Sequence, residues 1–165
     1  MTPTHTRVRL LQGLALIATG LLAGAFGYGA ANLVPTFGAV PLDMRLSFHA
    51  ELMKTNGITM QAAMAASTLG SLALAVVTRG RARLIAGAAG LLTLASFLIT
   101  RFGNVPINGR IKEWARTSAP PADHAEILRR WELFNDLRTL TALAAFVLLT
   151  ALVLGRPAVS SERRG

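Results

Sequence analysis

Apolar residues in this chain gather into four long blocks separated by polar stretches, the pattern of membrane spans and not the strict alternation of half-buried strands. The first block runs from about Leu10 to Leu33. At ~1.5 Å rise per residue it exceeds a hydrocarbon core of roughly 30 Å, and Pro35 is expected to stop the helix. Its small residues Gly20, Gly24, Gly27 and Ala31 recur at helical spacing, a face on which another helix backbone can approach closely. The basic start and the GYGAA ending also fit a cleaved signal peptide loosely, but the block is long for the apolar core of one. The second block, Ile58 to Val77, carries a second small-residue stripe at Ala63, Ser67, Gly70 and Ser71 and ends at the basic run RGRAR. The third, Leu84 to Phe102, follows at once, so these two spans must form an antiparallel hairpin. The fourth, about Leu137 to Leu154, is long enough if Asp136 and Arg138 sit at the interface, and Gly155 and Pro157 end it. The expectation is an all-α integral membrane four-helix bundle with amphipathic helical segments in two non-cytoplasmic loops. Residues 1–155 form its single domain and 156–165 a short basic tail.

Composition sharpens this picture. Of 165 residues, 52% are hydrophobic and only 15% charged, with mean hydropathy +0.47, more apolar surface than a soluble domain needs. Cysteine is absent, which excludes disulfides, thiolate nucleophiles and Cys-ligated metal centres. The net charge of +9 does not point to nucleic acid, because the arginines flank apolar blocks; anionic lipid headgroups are the partner that placement favours. The termini and the RGRAR run hold eight Lys/Arg in short, dense groups, namely Arg7, Arg9, Arg79, Arg81, Arg83, Arg156, Arg163 and Arg164. Of the other nine of seventeen, seven are spread over the longer polar segments 34–57 and 103–136 with seven of the eight acids, and Arg101 and Arg138 lie just beyond the edges of the second. Short basic loops stay cytoplasmic, so both termini are expected inside, in a bacterial inner membrane, and the two polar segments outside.

Those segments are patterned. In PLDMRLSFHAELMKTNG, the residues Leu42, Leu46, His49, Met53 and Asn56 follow a helical stripe, which makes His49 either a partly buried hydrogen-bond donor or a base or ligand. In RFGNVPINGRIKEW, Pro106 suits a first helical turn. Asn104 and Asn108 flank it, as helix caps or as amides that hold a polar substrate. Trp114 is expected at the membrane surface. PPAD then reads as a turn with an N-cap at Asp123 and Glu126 completing a box-like start. The helix that follows runs unbroken into the fourth span and places Trp131, Asn135 and Arg138 on one face by spacings of four and three. Arg138 at the mouth of a span is costly unless paired or snorkelling, and neither Glu132 nor Asp136 is an ideal same-face partner. Unpaired and pointing inward, it would be a ready clamp for an anion or enolate.

The string GNVPINGRIKEW, with RRWELFNDLRT about fifteen residues later and the opening GLLAGAFGYGAANLVP, resembles the anthrone-oxygenase-like family of small four-helix membrane proteins over roughly Leu11 to Leu154. The matching residues are Pro35, Asn104, Pro106, Asn108, Trp114, Trp131, Asn135, Arg138 and Thr139. Members often carry histidine near Asn135, a departure that shifts any base role to His49. The resemblance implies oxidation of anthrones to anthraquinones, without a bound cofactor, for a few fungal members, and no assigned reaction for most.

One expectation is therefore a cofactor-free oxygenase acting on a hydrophobic phenolic or anthrone-like substrate. In it His49 is the general base and Arg138 stabilises the enolate; Asn104, Asn108 and Asn135 hold hydroxyls, and Trp114 or Trp131 packs on the ring. The other is a non-enzymatic membrane protein that binds a lipid or hydrophobic metabolite, or a subunit of a larger assembly, homo-oligomers included. A haem or metal held by His49 and His124 has no carboxylate cluster behind it, and no metal ligand set is expected.

Overall fold

The computed structural model describes residues 3–155, with side chains from Thr6 onward; Arg156, Pro157 and the basic tail lie outside the described residues. Among these residues there is no strand. The helices are α1 (Pro3–Tyr28), α2 (Val34–Ala39), α3 (Leu42–Val77), α4 (Gly80–Ile99), α5 (Val105–Thr117) and α6 (His124–Leu154), with π-helical segments at Gly29–Leu33 and Thr100–Asn104. The four long rods close into a ring in which α1 packs on α3, α3 on α4, α4 on α6 and α6 back on α1. Each rod is long and apolar enough to cross a membrane: Thr6–Ala39, Leu42–Val77, Gly80–Thr117 and His124–Leu154. Their outward faces carry the large apolar residues that a water-soluble bundle would bury. Leu10, Leu14, Ile17 and Leu21 on α1, Leu84, Leu91 and Leu98 on α4 and Leu133, Leu137 and Leu140 on α6 are all exposed, so the surface is suited to lipid.

The polar segments prove to be extensions of the spans. α3 joins the His49 stripe to the second span as one helix of 36 residues, about 54 Å long at 1.5 Å per residue, against a hydrocarbon core of roughly 30 Å. The RGRAR hairpin is tighter than a loop. Only Thr78 and Arg79 are non-helical, and Gly80 at φ +57° makes the left-handed step that glycine tolerates. Arg83 Nε donates to the carbonyls of Thr78 (2.9 Å) and Ala75 (3.2 Å), satisfying groups freed at the end of α3.

Pro35 does not stop the first helix. A proline lacks the N–H for the i−4 carbonyl, and its ring crowds that carbonyl. Here the widened Gly29–Leu33 turn takes up the mismatch, with Val34 N–H bonding Gly29 O, while the Asn32 side chain donates to Tyr28 O at 3.3 Å. The same device recurs before Pro106, where Val105 N–H bonds Thr100 O, so α4 passes into α5 without a loop. Asp123 does precede α6, but its side chain makes no cap bond; the Glu126 N–H reaches the Asp123 carbonyl instead, at 3.1 Å.

Close packing falls on particular small residues. A Cβ at Gly90 would meet Leu72 at 2.5 Å, one at Gly20 would meet Phe146 at 2.9 Å, and one at Gly70 would touch Ala15 at 3.4 Å, while Ser67 and Ser71 are fully buried. Gly24 and Gly27 have nothing within 4 Å, and Gly24 is exposed. The first stripe therefore splits: Gly20 meets α6, and Gly24 looks away from the bundle.

Three apolar clusters run down the axis. One, built on small residues, lies at the end shared by the start of α1 and the α3–α4 hairpin, and a second surrounds Leu22, Phe26 and Met64 in the middle. The third, at the opposite end, joins Phe37, Leu46, Ile107, Ile111, Trp114, Ile127, Leu128 and Trp131 from the polar extensions.

Candidate functional site

A cavity of about 210 Å³ lies where the middle cluster meets the far one, walled by α1, the first π-segment, α2, α3 and α6. His49, Leu52, Met53 and Asn56 come from α3, Phe37 from α2, Phe26 and Tyr28 from α1, and Trp131, Asn135 and Arg138 from α6. The spacings that put Trp131, Asn135 and Arg138 on one face, and His49 with Met53 and Asn56 on another, aim both stripes at this one space. Its deep residues His49, Trp131 and Asn135 are buried, whereas Tyr28 is 63% exposed and Met53, Asn56 and Met60 are half-buried. The cavity thus opens sideways between α1 and α3, at the level of the Gly29–Leu33 turn.

Aromatic rings clamp the histidine. Phe37 stacks on the His49 ring with centroids 5.2 Å apart, and Trp131 meets it edge-on at 4.7 Å. The Asn108 Oδ1 accepts the Trp131 Nε1–H at 2.7 Å and lies 3.1 Å from His49 Nε2. His49 Nδ1 is buried with no protein partner.

Arg138 also lines the cavity, from α6. Its guanidinium sits 4.3 Å from the Phe26 ring centroid, donates through Nη2 to Asn135 Oδ1 at 2.7 Å and reaches Thr100 Oγ1 at 3.5 Å. Among the described residues no carboxylate neutralises it. Glu132 is taken by Arg45 at 2.9 Å, and Asp136 is exposed. Arg138 Nε and Asn135 Nδ2 are buried donors without partners. With Oδ1 given to Arg138, the Asn135 amide can only donate at its other atom. Side chains that line the cavity therefore carry two unmet donor groups and one unmet ring nitrogen, all three atoms buried behind its surface among aromatic and methionine side chains. Unmet buried polar atoms each cost roughly 1–3 kcal/mol, and a bound ligand with matching groups would recover that cost.

The remaining sequence-derived candidates stand outside the cavity. Asn104 is fully buried and donates to the Trp131 backbone carbonyl at 3.0 Å, tying the second π-segment to α6; it caps no helix and faces no substrate space. Asn108 touches the ligand space only through its two ring partners. Trp114 is 6% exposed and packs inside the protein, because α5 lays Ile107, Ile111 and Trp114 against α3 within the far cluster; Arg110 covers its ring at 5.3 Å. His124 lines a separate pocket with Arg45 and Glu132 and bonds Pro121 O at 2.8 Å, so it does not converge with His49. Among the described residues no three His, Asp or Glu side chains gather as a metal set.

Phe26 and Phe37 were not singled out by the sequence. Nothing local distinguishes them from other apolar residues, and their place in the wall depends on how α1 passes through the π-turn into α2. Asn56 was on the His49 stripe, a signal that pointed to the cavity without naming its role.

No solved structure and no curated protein matches this sequence. The profile of the family described as anthrone oxygenase matches residues 44–148, a stretch that contains His49, Asn104, Asn108, Trp131, Asn135 and Arg138. That match spans more than half of the 165 residues, and the chain belongs to the anthrone oxygenase family.

Proposed function

We propose that the protein is a membrane oxygenase that needs no bound cofactor and converts an enolisable, anthrone-like or phenolic substrate to the corresponding quinone. The observation that carries the reading is that His49, Asn135 and Arg138 line one cavity and each holds a buried polar atom without a protein partner, Nδ1, Nδ2 and Nε respectively. An apolar ring system would enter from the bilayer past Tyr28 and lie against Phe26, Phe37 and Trp131. Its carbonyl oxygen would accept from Arg138 and Asn135. His49 would remove a proton from the ring methylene, and the enolate left behind would place its charge on the oxygen that Arg138 faces.

Dioxygen is the oxidant. The enolate gives one electron to O₂, the carbon radical and superoxide combine, and the peroxide takes the proton back from His49. Loss of water from the hydroperoxide leaves the new carbonyl. One oxygen atom enters the product and the other leaves as water, so two hydrogens are lost from carbon and the balance closes.

In this reading the cavity faces the non-cytoplasmic side of a bacterial inner membrane and both termini are cytoplasmic. The test is detergent-solubilised protein with anthrone under ¹⁸O₂. Protein-dependent quinone carrying one labelled oxygen, lost in His49→Ala, is the expected result. Saturable binding of anthrone with quinone formation no faster than in buffer would overturn the oxygenase and leave a hydrophobic-metabolite binder.

A further inference from the structure

Asn108 makes two contacts through one atom, and that constrains the histidine. Indole Nε1 can only donate. The Asn108 atom 2.7 Å from it must therefore be the amide oxygen. The same oxygen lies 3.1 Å from His49 Nε2, and an oxygen of this kind can only accept. In the neutral imidazole, Nε2 then carries the hydrogen and Nδ1 carries the lone pair. Nδ1 is the ring atom that is buried without a protein partner, on a side chain that lines the cavity.

We propose that Trp131 and Asn108 are positioning residues that lock His49 in its Nε2–H tautomer, so that Nδ1 is the atom that takes the substrate's proton. This rests on the oxygenase reading for the identity of the proton, but the lock itself does not. Trp131 fixes Asn108, Asn108 fixes the ring's hydrogen, and the Phe37 stack at 5.2 Å holds the ring plane. Asn104 holds the first link, since its bond to the Trp131 carbonyl fixes the α6 backbone beneath the indole. These three asparagines thus divide: Asn104 and Asn108 orient the base, and of the three Asn135 alone lines the cavity.

The tautomer can be read without turnover. Nitrogen-15 spectra of histidine-labelled protein in bilayers, assigned to His49 by its loss in His49→Gln, should show a protonated Nε2 and a lone-pair Nδ1. Asn108→Asp keeps an acceptor and should retain that pattern. In Trp131→Phe the amide is free to turn and offer its NH₂ to Nε2, so the pattern should shift toward Nδ1–H. Asn108→Leu should lose the preference as well, which keeps the test alive if Trp131→Phe fails to fold. With anthrone as substrate, Asn108→Leu should lower kcat by about 10²–10⁴-fold, the range general-base catalysis contributes, with KM little changed. A wild-type His49 protonated at Nδ1, or a tautomer unmoved in both Trp131→Phe and Asn108→Leu, would overturn the lock. A wild-type spectrum with the expected pattern in a protein that makes no quinone would refute the oxygenase and keep the lock.

Discussion

At the scale of single residues, Arg138 carries the largest electrostatic consequence. A part-buried guanidinium without a carboxylate partner is costly, and among the described residues it is offset by the Asn135 and Thr100 oxygens and the Phe26 ring. Glu132, six residues back on α6, serves Arg45 instead. If that unneutralised charge stabilises an enolate, Arg138→Leu should cut kcat by about 10²–10³-fold, as removal of an oxyanion donor does. Arg138→Lys should recover part of it, since a point charge cannot reproduce the planar fork that engages Asn135 and a ligand together. Steady-state kinetics with anthrone check both, and a change confined to KM would contradict the role. Much at this scale was legible beforehand. Spacings of four and three placed Trp131, Asn135 and Arg138 on one face, and the stripe through His49 and Met53 followed from helical periodicity. The parts that were not legible, Asn108 as a shared acceptor and Phe37 as the plate behind His49, depend on contacts between residues 23 and 12 positions or more apart on different elements.

Among the elements, the two π-segments decide where the site lies. Each ends two residues before a proline, so a residue that normally breaks a helix becomes the start of a new α-segment on the same rod. The sequence reading treated Pro35 as a stop because the local rule is strong, and it is overridden by a backbone adjustment that leaves no signature in the hydrophobic pattern. In the second π-segment Gly103 permits the approach of α6: a Cβ there would lie 2.5 Å from the Phe134 ring. Gly103→Ala should therefore destabilise by about 1–3 kcal/mol, as overpacking does, and lower the melting temperature in detergent. Gly24→Ala, with nothing within 4 Å, should stay within about 0.5 kcal/mol of wild type. Equal melting of the two variants would show that the second π-segment does not pack as described.

For the whole molecule, the hydropathy blocks were enough for the bundle, since four apolar runs with tight hairpins leave few alternatives. The absence of a breaker after Asp123 showed that the last polar segment runs into the fourth span, but nothing showed that the first and third spans also extend through Pro35 and Pro106, because a long helix that leaves the hydrocarbon becomes polar at the same place a loop would. The asymmetry that results sets the small-residue cluster at the arginine-rich end and the aromatic cavity toward the other. On the positive-inside rule, reporter fusions after Arg83 and after Arg164 should both read as cytoplasmic; a periplasmic reading after Arg83 would turn the cavity to the other face. The proposed chemistry begins with His49 and Arg138 together drawing a proton from a carbon acid held in that cavity. Anaerobic exchange of the anthrone methylene with deuterated water, followed by mass spectrometry in the presence of the protein, isolates that step from oxygen chemistry. Exchange well above the buffer rate in wild type, and at the buffer rate in His49→Ala and Arg138→Leu, is the predicted result. Exchange that is no faster with wild type than in buffer, or that survives in His49→Ala, would contradict it.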